Sequence, residues 1–74
     1  MDLKEIGNII RKARIEKGNT QAEMACNVGV SERWVRDIEK GKGNPLFLQL
    51  QGVLDYLDFK IHITKKDKNE PTSN

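Results

Sequence analysis

Residues 20–41 read TQAEMACNVGVSERWVRDIEKG, and they decide the fold because they predict two short helices joined by a glycine turn. Thr20 and Glu23 have the spacing of a capping box, in which the Thr20 hydroxyl accepts from the Glu23 amide and the Glu23 carboxylate reaches back. The first helix of this pair therefore begins after Thr20. It must end at Gly29, since glycine takes the left-handed conformation without the penalty that a Cβ brings.

The second helix of the pair has its own start and stop signals. Ser31 is predicted to cap it, Val35 and Ile38 form its apolar stripe, and Gly41 ends it. Ala25 in the preceding helix is small where the two helices cross, as close packing requires. Together these features predict a helix-turn-helix, a motif whose second helix lies in the major groove of DNA.

Helices are also predicted on both sides of this unit. The first is expected at about residues 2–17, and Asn44-Pro45 is predicted as the N-cap and first residue of a fourth helix that ends near Asp58. The expected inward residues are Leu3, Ile6, Ile10 and Ala13 in the first helix, Ala22, Met24, Ala25 and Val28 in the second, and Leu46, Leu50, Val53, Leu54 and Leu57 in the fourth.

The period of the apolar residues changes to two near the end of the chain, which is typical of a strand with one buried face. The predicted dimer strand contains Phe59, Lys60, Ile61, His62 and Ile63. No second strand is predicted, so its backbone groups need the same strand of a second copy. We therefore expect an all-α DNA-binding domain at 1–58, a dimerisation strand at 59–64 and a disordered polar tail at 65–74.

The composition narrows the class of protein. The 74 residues are 32% charged with a net charge of +2, and they contain neither a membrane-length apolar run nor a signal-peptide pattern. We expect a cytoplasmic protein, nucleoid-associated when bound to DNA, with no membrane partner. Cys26 and His62 are single and far apart, so the sequence predicts no metal site, no cofactor and no enzymatic activity.

Residues 17–45 resemble the Xre family of phage and plasmid repressors, through the pattern KG.TQ.E.A..VGVS...V..IEKG..NP. The resemblance extends from Ile6 to Leu57 and implies a four-to-five-helix, lambda-repressor-like domain. Two positions depart from the family. Asn19 stands where an apolar residue is usual, which predicts looser packing between the first two helices, and Trp34 is far larger than the usual residue, which predicts a changed seating on DNA.

The ending of the chain resembles one branch of this family. Residues 54–63 look like the end of the HipB-type antitoxins, whose closing strand pairs across a dimer. That resemblance implies a HipA-type kinase toxin as partner and repression of the protein's own operon. One alternative is a phage- or plasmid-type repressor without a toxin. The other is a module that inhibits a protein partner and itself binds DNA only weakly.

The base-reading residues are expected on the outward face of the third helix, in a homodimer on a palindromic operator of double-stranded DNA. Arg33 is the first choice, since a guanidinium can bond both acceptors of a guanine edge. Glu32 is expected to accept from a cytosine or to steady Gln21. The whole set is Ser31, Glu32, Arg33 and Asp37. Ordinary ion pairs at a spacing of four are the alternative, because Arg33 precedes Asp37 by that spacing.

Phosphate contacts are expected at both edges of the groove, from the start of the second helix and from the loop after the third. The predicted set is Thr20, Gln21, Trp34, Arg36, Lys40, Lys42, Gly43 and Asn44. A solvated surface is the alternative for the polar members, and packing on the second helix is the alternative for Trp34. The family resemblance also implies that Arg14 and Glu39 form a partly buried, structural ion pair between the first and third helices.

Overall fold

The computed structural model describes residues 2–66, which form four helices and no strand. The helices are α1 (Leu3–Lys17), α2 (Gln21–Val28), α3 (Glu32–Glu39) and α4 (Phe47–Tyr56). α3 packs against both α1 and α2, and α4 packs against α2. The prediction of an all-α domain built around a helix-turn-helix is confirmed.

Two capping boxes fix the starts of α1 and α2. The Glu23 amide donates to Thr20 Oγ1 over 3.0 Å, and the Thr20 amide donates to Glu23 Oε1 over 2.7 Å, as the sequence predicted. Asp2 and Glu5 form the same pair of hydrogen bonds at the start of α1, over 2.9 and 3.1 Å. Asp2 and Glu5 have the same three-residue spacing as Thr20 and Glu23, so the sequence carries the signal for both capping boxes.

The turn of the motif lies between α2 and α3. Gly29 has a φ of 78°, and its amide donates to the Ala25 carbonyl over 2.9 Å. Ser31 then caps α3, since its hydroxyl accepts from the Trp34 amide over 2.9 Å. Both positions behave as predicted, so the angle between α2 and α3 is set by local backbone chemistry.

The predicted start of α4 is wrong by two residues. The helix begins at Phe47, and Leu46, in extended backbone, takes the N-cap position rather than Asn44. The side chain of Gln49 explains the shift, because its Oε1 accepts from the Leu46 amide over 3.1 Å and so satisfies a group that the helix leaves free.

The core lies where the four helices meet. Its buried apolar residues are Ile10, Met24, Ala25, Val35, Ile38, Val53 and Leu57. Two residues predicted to point inward are exposed. Ala22 lies two positions before Met24 and hence on the opposite side of α2, and Leu46 precedes α4 and is 68% exposed.

Gly7 brings α1 against α3 at backbone distance. A Cβ added to Gly7 would lie 2.0 Å from the carbonyl oxygen of Ile38, closer than any real Cβ contact. Gly7 is also buried. No side chain fits between the two helices at this point, so their separation depends on this glycine.

Residues 59–66 form neither a helix nor a strand in the single chain. The Phe59 amide donates to the Leu54 carbonyl over 2.8 Å, and the apolar side chains beyond it are exposed, with Ile61 at 38% and Ile63 at 90%. A strand needs a backbone partner, so the dimer strand stays a prediction. The tail predicted at 65–74 lies, from residue 67 onward, outside the described residues. None of the helices within residues 2–66 is long and apolar enough to span a membrane.

Candidate nucleic-acid interface

The first turn of α3 presents its side chains to solvent. Ser31, Glu32 and Arg33 are all exposed. The Arg33 side chain is 85% exposed, and its Nε lies 3.9 Å from Asp37 Oδ2. An exposed pair at this distance contributes little to stability. The guanidinium is therefore free to leave Asp37 for another acceptor.

The residues predicted to read bases share one side of α3. Helical spacing places Glu32, Arg33 and Asp37 on the face opposite the buried Val35 and Ile38, together with Arg36, which was predicted to contact phosphate. Glu32 and Arg33 are exposed, whereas Arg36 and Asp37 are half-buried. The exposed end of this face is its first turn, the part of a recognition helix that reaches base edges.

The loop after α3 folds back over the end of that helix. The Asp37 carbonyl accepts from the amides of Lys40, over 3.1 Å, and of Lys42, over 2.8 Å. Gly41 has a φ of 76°, and a Cβ there would lie 2.8 Å from Lys4 Cα, so this position requires glycine on two grounds. The fold thus holds the backbone of the loop while the side chains of Lys40 and Lys42 stay exposed.

Gly43 and Asn44 continue the same loop. Both are exposed, and Gly43 has a φ of 92°, which favours glycine. The four predicted phosphate contacts of this loop, Lys40, Lys42, Gly43 and Asn44, therefore lie in one exposed segment beside the C-terminal end of α3.

Arg14 and Glu39 are paired between α1 and α3. Arg14 Nε lies 2.6 Å from Glu39 Oε2, and Arg14 Nη2 donates to Glu39 Oε1 over 3.0 Å. Only 11% of the Arg14 side chain and 3% of the Glu39 side chain are exposed. The hydrogen bond to Glu39 and the carboxylate charge raise the pKa of Arg14, against the lowering effect of burial. Arg14 also donates to the Asn19 carbonyl over 2.8 Å.

Gln21 joins this pair from the start of α2. Its Nε2 donates to Glu39 Oε1 over 3.1 Å, and its side chain is half-buried. The expectation that Glu32 steadies Gln21 is wrong, because the Gln21 amide is held by Glu39 instead. Thr20 beside it is exposed and accepts through its hydroxyl from Glu23, which leaves the hydroxyl proton free to donate.

Trp34 has a role that the sequence did not indicate. It is half-buried against the core, and its Nε1 donates to Gln49 Oε1 of α4 over 3.1 Å. This N–H is the only hydrogen-bond donor of a tryptophan side chain. The predicted phosphate contact of Trp34 therefore needs correction, because the structure uses its donor to join α3 to the start of α4.

Asn19 does not leave the gap that its polar side chain predicted. Asn19 Oδ1 accepts from the Tyr56 hydroxyl of α4, and the Tyr56 oxygen accepts from Asn27 Nδ2 over 3.0 Å. Lys17 Nζ lies 4.9 Å from the centre of the Tyr56 ring. The expectation of looser packing is wrong here, since a polar contact between distant segments fills the position. Sequence spacing gives no signal for such contacts.

The exposed side chains of α3 and of the loop after it offer hydrogen-bond donors and cations to a nucleic acid. Within residues 2–66, no group of three His, Cys, Asp or Glu side chains could hold a metal ion. Two sets of hydrogen bonds hold α3 in place, the Arg14–Glu39–Gln21 network and the Trp34–Gln49 bond. We refer to them as the frame around α3.

Comparison with known proteins identifies the fold. The family model described as Helix-turn-helix matches residues 10–63. The chain belongs to the helix-turn-helix family. The resemblance of residues 17–45 to Xre-type repressors is thereby confirmed.

The chain is similar to a bacterial protein and to a phage protein. The HTH-type transcriptional regulator SinR of Bacillus licheniformis is 33% identical over 66 residues, which cover 88% of this chain and 60% of SinR. The ImmF control region 10 kDa protein of Bacillus phage phi105 is 31% identical over 65 residues, 88% of this chain and 72% of that protein. This chain thus spans less than two thirds of the length of SinR.

Proposed function

We propose that this helix-turn-helix protein is a sequence-specific, DNA-binding transcriptional repressor that acts as a dimer on a palindromic operator. The exposed first turn of α3, with Arg33 85% exposed, is the observation that carries the proposal. The names of the two relatives, a transcriptional regulator and a phage control-region protein, support the same role.

The side chains of α3 determine which DNA sequence the protein prefers. Arg33 exchanges its loose contact with Asp37 for both acceptors of a guanine edge, a contact worth about 1–3 kcal/mol of discrimination. Ser31 and Glu32 stand beside it on the exposed turn, and Glu32 accepts from a cytosine amino group. Asp37 contributes at the half-buried end of the same face.

Phosphate contacts at the two edges of the major groove set the position of the protein on DNA and its affinity. At the positive end of α2, the Thr20 hydroxyl and the second amide hydrogen of Gln21 donate to phosphates along one edge of the groove. Lys40, Lys42 and the Gly43–Asn44 backbone donate to the other. Arg36 adds a cation between them. Since ammonium groups that replace counterions make affinity salt-dependent, binding falls steeply as salt rises.

The dimer supplies a second half-site. In this proposal Phe59, Ile61 and Ile63, which are exposed in the single chain, form a strand with the same strand of a second copy. Two copies of α3 then enter successive major grooves about 34 Å apart. The operator is accordingly a palindrome.

A narrower role is the second candidate. The resemblance of residues 54–63 to the HipB-type antitoxins favours an autoregulating antitoxin whose partner is a HipA-type kinase toxin. In that case the toxin binds a surface other than α3. The Arg33→Glu variant then loses DNA binding and still neutralises the toxin, whereas a phage- or plasmid-type repressor has no toxin to neutralise.

Selection of bound sequences from random duplexes tests the proposal. We expect one enriched palindrome with half-site centres about ten base pairs apart. Arg33→Glu should weaken binding to the enriched duplex tenfold or more, while Arg11→Glu, an equally simple change of an exposed arginine on α1, should leave sequence preference unchanged. If no sequence is enriched, the repressor proposal fails, and the protein-partner inhibitor takes its place.

A further inference from the structure

The end of α4 holds the turn that leads into α2. Tyr56 is the last residue of α4, and its hydroxyl donates to Asn19 Oδ1. The same oxygen accepts from Asn27 Nδ2 over 3.0 Å. Asn19 lies in the turn between α1 and α2, and Asn27 lies in the last turn of α2. One hydroxyl therefore joins both ends of α2 to the end of α4.

Asn19 is held at three points. Its amide donates to the Arg14 carbonyl over 3.1 Å, and its carbonyl accepts from Arg14 Nη1 over 2.8 Å. The third contact is the one with the Tyr56 hydroxyl, and it holds the side chain of Asn19. Arg14 thus ties the backbone of the turn to α1, whereas Tyr56 ties the same turn to α4.

The residues that follow Asn19 are Thr20 and Gln21, the proposed phosphate donors at the start of α2. Gln21 is held from another direction, because its Nε2 donates to Glu39 Oε1 of α3 over 3.1 Å. The proposed donors therefore lie between two anchors, with Asn19 on one side and Glu39 on the other. If either anchor is lost, the donors are free to move relative to α3.

The surroundings of the Tyr56 hydroxyl favour a role in positioning over a role in stability. Tyr56 and Asn19 are half-buried and Asn27 is exposed, so water can replace each partner when a hydrogen bond breaks. A hydrogen bond that exchanges with water adds little to stability. It does restrict the conformations of the turn, and donors that are already in place lose less freedom when they bind.

We propose that Tyr56 is a positioning residue for DNA binding, because its hydroxyl fixes the turn that presents Thr20 and Gln21 to phosphate. The inference rests on the proposed repressor function, and it adds a residue that acts through Asn19 without touching DNA itself. Gln49, near the start of α4, binds Trp34 of α3. In this account α4 therefore holds the base-reading helix near its start and the phosphate-binding turn at its end.

Tyr56→Phe removes the hydroxyl and keeps the ring, together with its contact to Lys17, whose Nζ lies 4.9 Å from the ring centre. The variant should bind the enriched duplex about threefold to tenfold more weakly, because the turn must then be ordered during binding. Asn27→Ala is the matched control, since it removes the other hydrogen bond of Tyr56 and should leave the affinity unchanged. Fluorescence anisotropy measures both variants. If Tyr56→Phe binds as tightly as the unchanged protein, the proposal is overturned.

Asn19→Ala tests whether Tyr56 acts through the turn. It removes the acceptor of the Tyr56 hydroxyl and keeps both backbone contacts with Arg14. Asn19→Ala should weaken binding by the same factor as Tyr56→Phe, and the double variant should bind no more weakly than either single variant. Losses that multiply in the double variant would contradict the proposal, because the two side chains would then act independently.

Duplexes with single uncharged phosphates separate positioning from stability. A methylphosphonate in place of one phosphate removes its charge, so the unchanged protein should bind more weakly wherever it contacts that phosphate. The loss of affinity at each position is its penalty. Thr20→Val should reduce the penalty at the phosphates that residues 20–21 contact. Lys42→Ala should reduce it at the phosphates that the loop of residues 40–44 contacts.

Tyr56→Phe should reduce the penalty at the phosphates assigned by Thr20→Val and leave the penalty at those assigned by Lys42→Ala unchanged. A general loss of stability lowers binding to all duplexes alike and leaves every penalty as it was. Unaltered penalties in Tyr56→Phe would therefore overturn the positioning role, while the repressor proposal would stand. If the unchanged protein binds no duplex at all, the repressor proposal itself fails, and this inference fails with it.

Discussion

Glu39 is the residue on which most of the frame around α3 depends. It accepts from Arg14 and from Gln21, so a single carboxylate connects α1, α2 and α3. A family resemblance assigned the pairing of Arg14 with Glu39, since two residues 25 positions apart show no spacing that links them. The contact of Gln21 with the same carboxylate was not predicted, because it depends on how α2 packs on α3.

Glu39→Ala should be severely destabilising. It leaves the Arg14 guanidinium buried without its carboxylate, which costs about 3–5 kcal/mol. That loss is comparable with the whole stability that a core of this size supplies, roughly 3–5 kcal/mol. Urea unfolding measures it. Asp37→Ala, which removes the half-buried carboxylate 3.9 Å from the exposed Arg33, should change the free energy of unfolding by less than about 1 kcal/mol. Equal losses in the two variants would contradict a structural role for Glu39.

The pH dependence follows from the direction of the Arg14 shift. Glu39 raises the pKa of Arg14, so the resulting stability is fully present across the neutral range, which lies below the ordinary arginine value. It is lost only as the pH rises through the still higher folded value. We therefore expect the destabilisation by Arg14→Met to be constant across the neutral range, when urea unfolding is repeated at several pH values. A loss that varies with pH there would contradict this account.

Gly7 and Gly52 show what a sequence cannot tell about a glycine. Both lie inside helices, and both look equally replaceable from their neighbours in the chain. Gly7 meets the Ile38 carbonyl at the α1–α3 contact, whereas Gly52 meets nothing in the single chain. The difference comes entirely from tertiary packing.

Gly7→Ala and Gly52→Ala should accordingly change stability in opposite directions. Gly7→Ala pushes α1 away from α3 and should destabilise by about 1–3 kcal/mol or more. Gly52→Ala should stabilise by roughly 0.5–1 kcal/mol, because alanine loses less backbone freedom in a helix. Thermal unfolding of the two variants at one low protein concentration measures both effects. A Gly7→Ala variant as stable as the unchanged protein would rule out the close α1–α3 approach.

Among the elements, α1, α2 and α3 were predictable and the start of α4 was not. Capping residues and turn glycines are local signals, and Thr20, Gly29 and Ser31 act as predicted. At α4 the local signal was Asn44-Pro45, but Gln49 holds the Leu46 amide and the helix begins at Phe47. Gln49 is fixed in turn by Trp34 of α3, a contact that only the folded chain creates.

Trp34→Phe tests whether α3 holds the start of α4. The variant keeps an aromatic ring in the half-buried position and loses the N–H donation to Gln49, which should cost about 1 kcal/mol. A double-mutant cycle with Gln49→Ala, measured by urea unfolding, should show coupling of at least about 0.5 kcal/mol. Strictly additive losses would mean that the two side chains act independently.

The described part of the chain presents the exposed first turn of α3. The hydrogen-bond donors of residues 20–21 and 40–44 lie on either side of it. The sequence predicted the helices and the exposed Arg33, because these depend on local patterns. It did not predict the Tyr56–Asn19 contact or the α1–α3 approach at Gly7, because both join residues far apart in the chain.

Lys42 should affect the affinity for duplex DNA without affecting which sequence is preferred. Lys42→Ala should weaken binding to all duplexes by a similar factor and reduce the slope of log affinity against log salt by about one. Lys12→Ala, which removes an exposed ammonium from α1, should leave that slope unchanged. Fluorescence anisotropy of labelled duplexes at several salt concentrations measures both variants. An unchanged slope for Lys42→Ala would remove this loop from the interface.

Repeating the random-duplex selection with Arg33→Gln and with Arg11→Gln tests whether α3 reads bases. We predict that Arg33→Gln changes the enriched base at one position of each half-site, symmetrically, because glutamine bonds adenine where arginine bonds guanine. Arg11→Gln should return the sequence of the unchanged protein. If Arg33→Gln also returns that sequence, α3 does not read DNA through Arg33.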